Sequence, residues 1–365
     1  MTMDRRSKFS YRSNVGVSAV VVAAVVIYLF NSFRCARIPV GPLLTEFAQS
    51  QALPKDYRSW HLEPTISDTA VCWQTQDFKA ATDTNLVFHS YSLDQLTEQG
   101  ISFRVDSQSD GQYHQINGDD RYQLSPDGRN YACLPDYFDG PSQVMVLDSH
   151  TARQKALVVP GNSVVCGVWI DNNTLLVSSF VPANPFYYMA CLVSLDTRTP
   201  VVAVREPGQQ RLRWISAGSR YAFATEMNNS DQSDHYTQKE EIWLYRMDLK
   251  DPSHSIVESR IAPPVSPGLG SWRMLPSPDG QHIAFEMQLF REWFAFQRKP
   301  PFFQKTVISS CTALYIAQID GSNPHLIGIL PQNSSGNKLA GLAWSTDSSS
   351  LRYIFANRLY TVSAR

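Results

Sequence analysis

Apolar residues along most of this chain fall in short alternating runs separated by tight-turn segments, and one unit of apolar run, turn and apolar run occurs six times. Two copies spell the turn Ser-Pro-Asp-Gly: Ser125-Pro126-Asp127-Gly128 before Tyr131-Ala132-Cys133-Leu134, and Ser277-Pro278-Asp279-Gly280 before Ile283-Ala284-Phe285. Proline presets the first turn torsion and glycine accepts positive φ, so each copy predicts a strand, a turn and a strand. Looser copies lie at Ile66-Ser67-Asp68 before Val71 and Trp73, at Trp169-Ile170-Asp171-Asn172-Asn173 before Leu175, at Ser216-Ala217-Gly218 before Tyr221-Ala222-Phe223, and at Trp344-Ser345-Thr346-Asp347 before Leu351.

After a variable gap, each of the first five copies continues into an alternating strand that ends at an aspartate marking a second turn: Asp94, Asp148, Asp196, Asp248 and Asp320. A further apolar run follows, as at residues 156–159 and 326–329. Four strands per unit, repeated around a circle, predict an all-β fold, a six-bladed β-propeller with five complete units. The sixth unit stops after Leu359-Tyr360-Thr361-Val362, short of its fourth strand. A circular array hides such an edge by borrowing a strand from the other end of the chain, and the segment available is residues 38–50, where Pro39 and Pro42 are poor ladder residues. If that segment closes the ring, the chain enters on the face of the short turns and the longer links point away from the membrane. If it does not, the chain enters beside the longer links.

The Ser-Pro-Asp-Gly turn followed by an Ala-Phe strand resembles the WD40-like, PD40-type repeats of TolB-type β-propellers, over residues 58–365. The resemblance implies the propeller fold and a bacterial envelope setting. The separate domain that precedes the propeller in TolB-type proteins is not expected between the apolar segment and the first blade, so the TolB role is not carried over.

Residues 13–33 contain no charged side chain, and residues 15–30 are almost wholly apolar, a length that spans a bilayer as a helix. Arg5, Arg6, Lys8 and Arg12 precede it against Asp4, which favours a cytoplasmic N-terminus over residues 1–12, with Arg34 and Arg37 weakening the bias. A cleaved signal peptide is the rival, but Asn31-Ser32-Phe33-Arg34-Cys35-Ala36 offers neither an Ala-x-Ala site nor a lipobox. The expected organisation is therefore a tail (1–12), a single transmembrane helix (13–33), a linker with the closing strand (34–57) and a periplasmic propeller (58–365), held at the bacterial inner membrane.

With 43% apolar, 12% aromatic and 18% charged residues, the composition is that of a folded domain. Setting aside the first 37 residues, with their six Lys or Arg and one Asp, leaves 26 basic against 32 acidic residues, a net charge of −6 that makes nucleic acid a poor partner. Five of the six cysteines lie in the propeller. They read as small buried hydrophobes, with a Cys166–Cys191 bridge open only if their strands are adjacent. The sequons at Asn172, Asn228 and Asn333 fall in polar turns where asparagine is common, and they carry no meaning in a bacterial periplasm.

In a propeller the strands form the scaffold and the links carry recognition. The links between second and third strands vary most: residues 135–142, 181–188, 228–241 and 287–310. The last contains Arg291, Trp293, Phe294, Phe296, Phe302 and Phe303, a mixture of aromatics and cations typical of interface anchors. Phe186 and Tyr187 stand in a second aromatic link predicted on the same face. The plain alternatives are that these links pack on their own blades, or that the aromatic ones touch lipid. Residues 228–241 read as a solvated acidic edge, without the alternation of a calcium loop.

The eight histidines show no ligand spacing, no Gly-x-Ser-x-Gly elbow occurs, and no cofactor or metal motif is present. The expected function is a non-enzymatic interaction propeller of a cell-envelope complex, with other envelope proteins as partners and the membrane engaged through residues 13–33. The alternatives are a propeller hydrolase or lyase acting on carbohydrate or peptide, with carboxylates gathered at the central channel, and a sensor that binds a small ligand there.

Overall fold

Several turns of the repeat are held by their own side chains. We describe the protein from a computed structural model, in which residues 21–26, 39–54, 64–80, 83–104, 122–133, 143–148, 151, 153–196, 198–199, 201–207, 212–226, 236–237, 239–252, 256–267, 270–296, 303–331 and 339–364 are defined. Ser125 Oγ donates to Asp127 Oδ1 (2.6 Å) and accepts from the Asn130 amide (2.8 Å), while Gly128 sits at φ 73°. Ser277, Asp279 and Gly280 (φ 70°) repeat the arrangement, and Ser345 and Asp347 do so with Ser348 in the glycine position at φ 60°. Hydroxyl and amide donors from Ser345 and Ser349 hold the Asp347 carboxyl down to about 2. At the second turn, Asp148, Asp196, Asp248 and Asp320 each accept an amide of the following residues, at 2.9–3.1 Å. In the first repeat Ser92 Oγ takes that place, accepting from the Gln95 amide (3.2 Å), rather than Asp94.

Strands fill the intervals between these turns. After the closing strand β1 (Gln49–Ala52), the first blade is β2 (Thr65–Ile66), β3 (Ala70–Ala80), β4 (Asp83–Ser92) and β5 (Glu98–Arg104). The second is β6 (Tyr122–Leu124), β7 (Asn130–Cys133), β8 (Gln143–Asp148) and β9 (Gln154–Val158). The third is β10 (Ser163–Trp169), β11 (Thr174–Val181), β12 (Tyr187–Ser194) and β13 (Val202–Arg205). The fourth takes β14 (Leu212–Ala217) and β15 (Tyr221–Glu226), omits β16 (Tyr236–Thr237), and continues with β17 (Ile242–Asp248) and β18 (Ile256–Ile261). The fifth is β19 (Ser271–Pro276), β20 (His282–Phe296), β21 (Phe303–Gln318) and β22 (His325–Pro331), with β16 added at its inner edge. The sixth is β23 (Ala340–Trp344), β24 (Ser350–Phe355) and β25 (Arg358–Ser363), completed by β1. The protein is a six-bladed β-propeller.

Closure differs from the sequence expectation in position. The strand that completes the ring is Gln49–Ala52, antiparallel to β25 with Gln49 opposite Thr361 and Ala52 opposite Arg358. Residues 39–48 do not join that sheet, and Pro39 and Pro42 have no amide to give. Instead Pro42 accepts the Ile329 amide (3.0 Å), Leu43 makes a parallel bridge to Ile329, and a short helix, α1 (Leu44–Phe47), turns the chain into β1. The chain therefore enters the ring on the short-turn face.

Of the expected membrane span 13–33, residues 21–26 are defined and helical, with Val21, Val22, Val25 and Val26 exposed. The remainder lies outside the described residues. Among the described residues no helix is long and apolar enough to cross a membrane.

Apolar wedges between neighbouring blades form the core, for example Phe223, Ile261, Trp272 and Phe285 between the fourth and fifth, and Leu314, Leu351 and Tyr353 between the fifth and sixth. Cys72, Cys166, Cys191 and Cys311 are buried and unbridged, and burial raises the Cys191 thiol to about 12 and Cys72 and Cys311 to about 11. Cys166 and Cys191 cannot pair, because β11 lies between their strands.

On the short-turn face the blades are joined turn to turn. Thr69 Oγ1 donates to the Asp127 carbonyl (3.1 Å), the Asp127 amide to Asn172 Oδ1 (3.0 Å), and the Asp279 amide to Ser348 Oγ (3.1 Å). Asp68 closes the circle by accepting the Thr346 amide (3.1 Å) and pairing with Arg352 (3.0 Å). Asn172 is thus a joint between blades. Gly218 packs directly on the Pro278 carbonyl, so that any Cβ at this position would overlap it. Gly218→Ala must push the fourth and fifth blades apart, and should lower stability by about 3 kcal/mol in urea titration.

Candidate functional site

Two features stand out on and within the ring: an arm on the face opposite the short turns, and the central channel. The arm is the hairpin of β20 and β21. β19 pairs with β20 only as far as Ser271 opposite Gln288, and β22 pairs with β21 only from Ile316 back to Cys311. Beyond these points β20 and β21 pair with each other, through Arg291 opposite Ser309, Trp293 opposite Thr306, Phe294 opposite Lys305 and Phe296 opposite Phe303. The eight residues of β20 past Gln288 amount to about 27 Å of strand. Residues 287–310, expected as a loop, are instead strand as far as Phe296 and again from Phe303, with a bulge between Arg291 and Glu292. The enrichment of aromatic residues at 293–296 and of β-branched residues at 306–308 is the strand signal in this segment.

Arg291, Trp293, Phe294 and Phe296 therefore lie on one strand of the arm, and Phe303 opens the other. Phe302 lies outside the described residues. Phe186 and Tyr187 are placed two blades away, on the third. There the Asn184–Pro185 peptide is cis, Phe186 is exposed beside Phe180 (5.8 Å) and Tyr188 (6.3 Å), and the Arg205 guanidinium covers Tyr187 (4.8 Å). This cluster is built from its own blade. A second long hairpin, β3 with β4, escaped the sequence reading because Gln74-Thr75-Gln76-Asp77 carries no apolar alternation.

The link between β15 and β17 also departs from the expected solvated acidic edge. Its residues 227–235 lie outside the described set, but β16 within it pairs with the inner strand of the next blade, Tyr236 opposite Trp272. Tyr236 donates its hydroxyl to Thr225 Oγ1 (2.6 Å), its ring lies 5.1 Å from that of Trp272, and the Trp272 indole donates to the Lys239 carbonyl (2.7 Å). Glu240 and Glu241 follow expectation: both are exposed, and Glu241 pairs with Arg260 (2.8 Å).

The innermost strands of all six blades enclose a central cavity of about 200 Å³, with Tyr236 in its wall. Gln123, Arg213, Trp214, Arg273 and Cys166 contribute from neighbouring strands. Arg213 and Arg273 are both less than a tenth exposed. Arg273 donates through Nε to Glu286, which is fully buried on β20. Glu286 was legible only as an oddity, a charge inside the run Ala284-Phe285-Glu286-Met287. Among the described residues no group of three or more His, Cys, Asp or Glu is placed to hold a metal ion.

No protein family and no curated relative matches this chain. Solved structures do resemble it. The β-propeller domain of the Trilobed protease from Pyrococcus furiosus, described as having an open velcro topology, is 13% identical over 88% of this chain and 84% of its own, with a TM-score of 0.42. The AtxE2 isopeptidase is 13% identical with a TM-score of 0.36 over 89% of this chain, which spans about half (52%) of that protein. U3-55K is 10% identical over 88% of this chain and all of its own, with a TM-score of 0.45. At these identities the likeness is one of fold alone.

Proposed function

We propose that the protein is a propeller that docks another protein through the arm of its fifth blade. The observation that carries this reading is the run of β20 and β21 past their neighbours. A two-stranded ribbon is marginally stable in water by itself. This ribbon is rich in aromatics and basic residues, the composition of interface anchors. Its outer stretch pairs with no other strand among the described residues.

In this reading residues 13–33 hold the chain in a bacterial inner membrane with the propeller in the periplasm, as a subunit or accessory of an envelope complex. The position of β1 supports an arm that points away from that membrane, because the chain joins the ring on the opposite face. Confinement to the membrane plane raises the effective concentration of any partner held in the same envelope. The alternative is a hydrolase or lyase acting at the channel, where the ionisable side chains lining the cavity among the described residues are Arg213, Arg273, Tyr236 and Cys166.

In-cell photocrosslinking from position 293 of the full chain tests the proposal. One dominant protein adduct, lost when Phe294 and Phe296 are both replaced by serine, is expected. Crosslinks confined to the chain itself would overturn it and make the arm a packed lid.

A further inference from the structure

Docking through the arm needs a surface, and the backbone of β20 supplies one. The Ser277 amide donates to the His282 carbonyl (2.8 Å), so these two residues form a hydrogen-bonded pair. Antiparallel ladders alternate such pairs with non-bonded ones. Leu275 with Ala284, Arg273 with Glu286 and Ser271 with Gln288 are therefore the bonded pairs of β19 and β20. The Gln288 carbonyl faces that side, since a Cβ on Gly270, just before β19, would overlap it. On β20 the even-numbered residues thus turn amide and carbonyl toward β19. The odd-numbered ones turn toward β21, a set that begins where the Ile319 amide meets the Gln281 carbonyl (2.9 Å).

Past Gln288 the alternation continues without β19. The amides and carbonyls of Phe290, Glu292, Phe294 and Phe296 then lie along an edge that no strand pairs with among the described residues. The opposite edge of the ribbon is less regular. Arg291 is paired with Ser309 and Glu292 with Val307, so Ile308 is an extra residue on β21. A bulge of this kind interrupts the alternation of its own strand, and proteins blunt exposed edges with such bulges. β20 has no such interruption, and from Phe290 to Phe296 it remains a template for pairing.

Charge narrows the occupant. Residues 289–310 carry Arg291, Arg298, Lys299 and Lys305 against Glu292, a net charge of +3. The chain beyond residue 37 carries −6 in all, which leaves −9 on the remainder. The arm is thus opposite in sign to the body that bears it, and like charge disfavours a second basic ribbon at its edge. Taking the docking reading as given, we infer that the partner enters as an extended acidic segment of about seven residues that adds to the open edge of β20 as a third strand. Main-chain hydrogen bonds supply the affinity and charge selects the segment. The third strand gives the ribbon the support that two strands lack alone.

The test uses the full chain in cells with a photocrosslinker at position 293. The crosslinked peptide, sequenced by mass spectrometry, should belong to another protein and carry net negative charge. An adduct of two copies of this chain, or a peptide without net negative charge, would overturn the inference. Glu292→Pro removes one outward amide at a position where an edge strand tolerates proline, and should lower adduct yield about fivefold or more. Glu292→Gln keeps that amide and removes a charge of the partner's sign, so it should raise the yield. Arg291→Glu with Lys305→Glu should lower it several-fold through charge. Adduct retained in Glu292→Pro, lost equally in Glu292→Gln, or unchanged by the charge reversal overturns strand addition by an acidic segment while docking through the arm stands. No adduct from the otherwise unsubstituted chain is a different result, since it ends docking through the arm itself.

Discussion

A chain shortened to begin at residue 55 is expected to lose most of the stability of the propeller, whereas one beginning at residue 39 should keep it. The segment between these points supplies the fourth strand of the sixth blade, and it carries two anchors. Leu44 is fully buried among Leu330, Leu339, Tyr353 and Tyr360, and Leu53 is buried against Ile66, Val71 and Ile354. The Leu53 amide donates to the Asn357 carbonyl (3.1 Å), Tyr353 donates its hydroxyl to the Leu44 carbonyl (3.4 Å), and Arg358 holds Ser50 Oγ (2.9 Å). Deleting one buried leucine side chain from a packed core costs about 2–5 kcal/mol. Two such anchors and an unpaired β25 edge together amount to a loss on the order of 5–10 kcal/mol, comparable with the whole stability of a domain. Urea titration followed by tryptophan fluorescence checks this. Coincident midpoints for the two chains would mean that β1 is dispensable and that the ring holds without it. The single change Leu44→Ala should lower stability by about 3 kcal/mol in the full chain.

The second large effect is expected at the ion pair behind the channel. Arg273→Met removes the guanidinium that Glu286 faces in a position with no exposure to solvent. A buried charge left uncompensated costs about 3–5 kcal/mol, whereas removing both partners and filling their volume is close to neutral. The double change Arg273→Met with Glu286→Leu should therefore recover most of what the single change loses. If the single and double variants unfold at the same urea concentration, the pair is not what stabilises this junction between β19 and β20.

The repeat itself was legible along the chain because its determinants are local. A serine hydroxyl that bonds an aspartate two residues on, followed by a residue at positive φ, specifies a turn within five positions, and Ser125 to Gly128 form the same turn that Ser277 to Gly280 form. Alternation of apolar residues over four to eight positions specifies the strands between such turns. Six copies of that unit, the last one short of a strand, already imply a ring closed by the other terminus, and the six sheets follow it.

What the tertiary structure alone decided lies between residues far apart in the chain. Prolines at 39 and 42 displaced the closing strand to Gln49–Ala52, where the ladder of β25, over 300 positions away, sets its register. The adjoining segment then took its place by burying Leu44 on β22 and β25. β16 pairs with β19 rather than with its own blade because Trp272 offers Tyr236 a ring to pack on and Thr225 offers its hydroxyl an acceptor. Arg213 and Arg273 share one cavity only because the ring sets their strands side by side, and Glu286 is tolerated in the core only because that ring brings Arg273 opposite it. Turn torsions and strand alternation are properties of a few consecutive residues and can be read from them. A pairing edge, a buried charge and a channel wall are defined by their partners, and the partners are assembled only by the fold.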